Sequence, residues 1–148
     1  EGNAKAHKFP RSYLEKGSLD FSFSGLKTSV KNYIDKVKRN NGLSDNNIAA
    51  CFQEAVVEVL SKKIIMACEQ EELSRVVVTG GVAANGGLRK AVISACSHSG
   101  YESWFPDPVF CTDNAAMIAC AGYQKYKSSP NSKADLLNMD ATANLLLE

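Results

Sequence analysis

The stretch Arg75 to Arg89, RVVVTGGVAANGGLR, constrains the fold more than any other part of the chain. RVVVT is short, β-branched and unbroken, the pattern of a parallel strand buried on both faces. Gly80 and Gly81 break it, and Ala84 to Ser97 then resumes with the spacing of a helix. Tyr101 to Phe105 (YESWF) reads as a second strand, closed by Pro106 and Pro108. Strand, helix and strand in that order specify an α/β layer fold. Two strands are too few for a comfortable sheet, so further strands are expected upstream of this sequence.

Helices fill most of the remainder. Ser24 is positioned to cap a helix from Gly25 to Lys38, with Leu26, Val30, Ile34 and Val37 on one face. Asn40 to Gly42 ends it. Ser44 or Asp45 opens a longer helix running to Gln70. Its apolar stripe is Ile48, Phe52, Ala55, Val56, Val59, Leu60 and Ile64, interrupted only by the stem of Lys63. Thr112 or Asp113 caps a last helix from Asn114 to Tyr126, and Ser128 to Lys133 is a polar break. The tail, 127–148, carries no assignment. The chain opens on EGNAKAH, which has neither an initiating Met nor the order of a signal peptide. That opening reads as a mid-protein loop, with an amino-terminal part expected before it.

Composition narrows the class of function. The chain has 148 residues, 45% of them hydrophobic, and a formal net charge of +1. That balance suits a globular domain and by itself advertises no nucleic-acid partner. No apolar run approaches the roughly 20 residues that span a bilayer, so no membrane role is expected. The five cysteines, at 51, 68, 96, 111 and 120, fit neither a disulfide framework nor a CxxC zinc site. Most sit in apolar helical patterns, which points to a reducing, cytoplasmic compartment.

Three segments can carry chemistry. In VVVTGGVAANGGLR, glycines allow close backbone approach, and free amides at the helix start can hold an anion or a nucleotide's polar edge. Asn85 is placed to hydrogen-bond a ribose or base, and equally to cap the helix. The segment lacks the GxxxxGK[ST] pattern of a triphosphate loop. In FPDPVFCTDNAAMIA, Asp113 follows a strand at the mouth where open α/β sheets bind ligands. Its carboxylate can hold a metal or a water, or cap the following helix. In DFSFSGLKTSV, Lys27 can meet a phosphate or stay solvated, and Phe21 and Phe23 read as core or interface anchors. His7 and His98 have no ligand spacing to each other.

Four pieces in order, FPRSYLEKGSLDFSFSGLKTSV, NNIAACFQEAVVEVL, RVVVTGGVAANGGLRKAV and WFPDPVFCTDNAAMIACAGYQKY, resemble the TsaD/Gcp family and cover most of residues 2–126. The resemblance makes residues 1–148 the carboxy-terminal portion of a TsaD-like protein. It implies an α/β fold like that of actin, Hsp70 and sugar kinases, in which two ribonuclease-H-like lobes close on a nucleotide. The present sequence would be a helix-rich part of it. By the same resemblance, Asn85 contacts the nucleotide part of threonylcarbamoyl-AMP, and Gly80 and Gly81 line the same wall. Asp113 would ligate one divalent metal, iron or zinc. The family's two histidine ligands lie in an HxxxH motif of its amino-terminal half, and no HxxxH occurs here.

The implied activity is an acyltransferase reaction: the threonylcarbamoyl group passes to the exocyclic N6 amine of the adenosine beside the anticodon in tRNAs reading ANN codons. The metal would act as a Lewis acid. The implied partners are tRNA, threonylcarbamoyl-AMP and the other subunits of a threonylcarbamoyl-transfer complex. No general base is visible. The full-length protein would be the enzyme, and this portion alone would be inactive. Two departures stand out: the tail lacks the Arg-Trp-Pro ending of many members, and Gly86 and Gly87 replace residues that are often charged. The competing expectation is a non-catalytic module that binds a nucleotide or a partner subunit. Self-association through the uncovered edge of strand 75–79 is also expected.

Overall fold

The computed structural model describes residues 2–37 and 42–128. It divides into two compact units, Glu1–Thr112 and Asp113–Glu148. In the first unit an irregular amino-terminal segment leads into α1 (Ser24–Val37), α2 (Asp45–Gln70), β1 (Arg75–Val77), α3 (Gly86–His98) and β2 (Glu102–Trp104). Short 3-10 turns follow each strand, at Gly81–Ala84 and Pro108–Phe110. The second unit contributes α4 (Ala115–Ser128).

The central element is α2. Ser44 caps it, its side chain accepting from the Asn47 N–H, and Asp45 lies in the first turn where the helix dipole favours an anion. Both ends fall where local signals put them. Its 26 residues are long enough to serve two apolar clusters in succession. Toward its start, Ile48, Cys51 and Ala55 pack with Phe9 and with Leu26 of α1. Further along, Val57 packs with Leu88, Val92 and Cys96 of α3 and with the flanks of both strands. The amphipathic stripe is therefore a wrapped one. Cys51, Val57 and Cys68 are buried beside the expected positions, while Phe52, Val56, Leu60 and Ile64 are half-buried.

Lys63 does more than lay its stem along the stripe. It is buried, and its Nζ donates to the Ser18 carbonyl beside the Tyr13 ring. That bond ties the amino-terminal segment onto α2, as does Arg11, whose Nε donates to Glu58 Oε2 at 2.7 Å. Lys62 first, and then Arg11, hold the Glu58 carboxyl below the usual carboxylate range by hydrogen bonding.

The two strands pair in parallel, with Val76 opposite Ser103 and Val77 opposite Trp104. The strand expected over 75–79 forms only at Arg75–Val77, and the expectation of full burial does not hold. Val76 turns inward, whereas Val77 is 69% exposed. A two-stranded sheet covered by α3 and α2 has one buried face, so alternate side chains stay in solvent.

Three helix starts also differ from expectation. Ser24 is itself the first residue of α1, and the nearby hydroxyl that accepts a backbone N–H is that of Ser22, from Ser24. The helix expected from Ala84 begins at Gly86, because Gly81–Ala84 is wound as a 3-10 turn. The last helix is capped by Asn114, whose Oδ1 accepts from the Met117 N–H at 2.9 Å. The cap expected at Thr112 or Asp113 thus falls at Asn114, immediately before Ala115. Asn114 sits three residues before Met117, the spacing a capping side chain reaches. Lys38 and the expected stop at Asn40 lie outside the described residues, as does the tail from 129 onward. Among the described residues no helix is long and apolar enough to cross a membrane.

Candidate functional site

The site is built where β1 ends. Gly80 turns the chain with φ +91° and ψ 168°, a backbone region that is nearly exclusive to glycine. The 3-10 turn follows, with Ala83 buried beneath it. Asn85 then caps α3: its Oδ1 accepts from the Leu88 N–H at 2.9 Å. The capping reading of Asn85 therefore holds.

The cap does not exhaust the side chain. Asn85 Nδ2 donates to Gln53 Oε1 of α2 at 3.0 Å. One N–H of its amide and one lone pair of its oxygen remain for a ligand. Asn85 is half-buried at the rim of a cavity of about 650 Å³, a size suited to a small-molecule site.

That cavity joins two of the segments singled out in the sequence. One wall comes from the turn: Thr79, Val82, Ala83, Asn85 and Leu88. The rest of the lining comes from Phe21 and Phe23 just before α1, from Lys27 in its first turn, and from Phe52, Gln53, Val56 and Leu60 of α2. The lining is apolar with a few convergent polar groups, the usual make-up of a small-ligand site. An antiparallel bridge between Tyr13 and Phe21 fixes the strip that carries the phenylalanines, whose ring centroids lie 5.1 Å apart. Both rings thus have a place on a cavity wall as well as in packing. Neither Gly80 nor Gly81 is among the lining residues, and a Cβ added at Gly81 would reach Thr112 Cγ2 at 4.0 Å.

Two residues given no role in the sequence reading turn out to hold the site together. Gln53 is one. Arg89 of α3 is the other: Nε donates to Ala83 O at 2.6 Å, and Nη2 to Pro106 O at 2.5 Å, with Cys111 Sγ at 3.1 Å. Its guanidinium stands 5.0 Å from the Phe105 ring centroid. One side chain thus ties the turn after β1 to the loop after β2, and the two 3-10 turns pack together. Spacing hints at Gln53 only as a polar interruption beside Phe52, and at Arg89 as a charge one turn inside a helix.

In the second unit, Asp113 is exposed, and among the described residues no hydrogen bond or ion pair occupies its carboxylate. With Asn114 serving as cap, the structural duty that competed with ligation is taken. A carboxylate of this kind suits a hard or borderline divalent cation as one ligand of several. Among the described residues, no three His, Cys, Asp or Glu side chains cluster to hold a metal by themselves. His98 Nδ1 is 2.7 Å from Ser94 O, and His7 packs on Phe9 and Tyr33.

A parallel strand pair, a glycine turn and a capped helix define an α/β chain with a ligand-sized cavity. The chain belongs to the TsaD family: the family model described as tRNA N6-adenosine threonylcarbamoyltransferase matches residues 1–120. The family's actin- and sugar-kinase-like architecture agrees with the mixed, helix-rich fold around a parallel pair. Proteins of that name from Clostridioides difficile (strain 630) and Clostridium beijerinckii (strain ATCC 51743 / NCIMB 8052) are 45% identical over 97% of this chain and 40% over 99%. One from Staphylococcus epidermidis (strain RP62A) is 48% identical over 82% of it. The matches cover 42%, 43% and 36% of those relatives, so the chain spans less than half of their length.

Proposed function

We propose that this chain supplies the nucleotide-recognising part of a tRNA N6-adenosine threonylcarbamoyltransferase. The reading rests on the family match over residues 1–120 and, above all, on one observation. Asn85 stands at the rim of the cavity with hydrogen-bonding capacity to spare. In this reading the nucleotide part of threonylcarbamoyl-AMP lies across the cavity, with Gly80 and Gly81 shaping the turn that bounds it. Lys27, an exposed residue of the cavity lining, is the cation available to a phosphate.

The reaction is acyl transfer. The N6 amine of the adenosine beside the anticodon, in tRNAs reading ANN codons, forms a bond to the carbamoyl carbon. The bond from that carbon to the phosphate oxygen breaks, AMP departs, and the amine loses a proton. What this chain contributes is binding and orientation. Asp113 would provide one carboxylate to a divalent metal, iron or zinc, with two histidines supplied from elsewhere in the protein. That metal would supply Lewis-acid polarisation of a carbonyl. The tRNA, partner subunits and a cytoplasmic setting belong to the same proposal, the last on cysteine usage.

A second reading is a nucleotide-binding module with no catalysis of its own, which the same cavity and Asn85 geometry would serve. Both readings require nucleotide recognition. Calorimetric titration of the 148-residue chain with AMP and with CMP tests it. AMP binding at least about tenfold tighter than CMP supports the reading, being the worth of roughly one good hydrogen bond. Equal binding of the two, or none, overturns it.

A further inference from the structure

The hydrogen bonds around Asn85 fix more than Asn85. The Leu88 N–H can only donate, so the Asn85 atom facing it at 2.9 Å must be the carbonyl oxygen. The Asn85 NH2 group is thereby turned toward Gln53, 3.0 Å away, and the Gln53 atom that meets it must be an acceptor. Gln53 Oε1 is committed to that bond. Its Nε2, which can only donate, lies beside Gly87 on a side chain that lines the cavity.

Gly87 makes the space for this arrangement. A Cβ at position 87 would stand 3.0 Å from Gln53 Nε2 and 3.2 Å from Asn85 Oδ1, so either amide would have to give way. The glycine that departs from the family's usual residues therefore has a steric partner in α2.

We propose that Gln53 is a specificity-determining residue of the cavity. It holds the Asn85 carboxamide in one orientation, and it offers its own NH2 as a donor to an acceptor nitrogen on the edge of a bound purine. This deepens the nucleotide reading above and rests on it. The lining residues that can donate are Gln53, Asn85 through its spare N–H, Lys27 and Thr79. The walls beside them are Phe21, Phe52 and Leu60. A flat, apolar ring with unshared electron pairs on its edge and an anionic substituent matches that set, as an adenine nucleotide does.

The test compares the 148-residue chain with Gln53→Glu and Gln53→Met, using AMP and uncharged adenosine as probes. Glutamate can still accept from Asn85 but cannot donate, whereas methionine can do neither. Loss of one neutral donor is expected to weaken adenosine binding about tenfold in both variants. The Asn85 side-chain amide protons, followed by NMR exchange, should stay protected in Gln53→Glu and lose protection in Gln53→Met.

Unchanged adenosine affinity in both variants overturns the proposal while leaving the nucleotide reading intact. A loss confined to AMP in Gln53→Glu also overturns it, since charge repulsion alone would then be at work. Asn85 amide protons equally protected in Gln53→Met overturn the orienting role. If the unsubstituted chain binds neither probe, the nucleotide reading falls and this inference falls with it.

Discussion

At the residue scale, the site depends on a few positions where chemistry leaves little choice. Gly80, at φ +91° and ψ 168°, has open space around it, so the objection to a side chain there is backbone strain rather than a clash. Gly80→Ala is expected to cost about 1–3 kcal/mol. Chemical denaturation would read the cost as a lower midpoint at unchanged slope. An unchanged midpoint would show that the turn relaxes without penalty. The capping role of Asn85 was legible in the sequence, because a short amide just before a helix start is a usual cap. Gln53 was not, because its role depends on a partner 32 residues away. Asp113 presents the opposite lesson. Its proximity to a helix start suggested a cap, but Asn114 is one residue nearer the Met117 N–H and takes that role.

At the scale of elements, α2 was read almost to the residue, since Ser44 and the long apolar period are local signals. Both strands were placed correctly but form over fewer residues than expected, and the first was given too much burial. A β-branched run specifies extension, but what covers each face is decided by the other elements present. The 3-10 turn at Gly81–Ala84 was likewise invisible, because its path is set by what Arg89 grips. Arg89 holds Ala83 and Pro106 and lies over Phe105, so the two turns at the ends of the parallel strands are cross-tied by one guanidinium. Arg89→Ala leaves those carbonyls unpaired and should lower stability by about 2–3 kcal/mol. Thermal melts of the two proteins would check this. A melting point within a degree of the parent would mean that water replaces the guanidinium without loss.

At the scale of the whole molecule, the apolar surface is uneven. Val77 on β1 and Trp104 on β2 are exposed side by side across the register, at 69% and 47%. A pair of short strands with such side chains invites a further strand or another copy of the chain. Light scattering is expected to show mass rising with concentration across the micromolar range, and Trp104→Lys should suppress the rise. A monomer at every concentration would contradict this. Burial of four of the five cysteines fits their reading as small hydrophobes, and burial pushes the Cys68 and Cys96 thiols up, away from reactive thiolates. How the cavity unites residues 21–27, 53 and 79–88 could not be read from the sequence, because nothing local encodes which distant segments line one space.

The central claim is that the turn after β1 and the cavity beside it recognise an adenine nucleotide through Asn85. The direct measurement is calorimetric titration of the 148-residue chain with AMP, set against Asn85→Ala and Asn85→Ser. Serine keeps an oxygen able to cap α3, so loss of the cap and loss of the ligand contact are separated. The account predicts that both variants bind AMP about tenfold more weakly or worse. Full affinity in Asn85→Ser would contradict it, leaving Asn85 as a helix cap that the nucleotide does not touch.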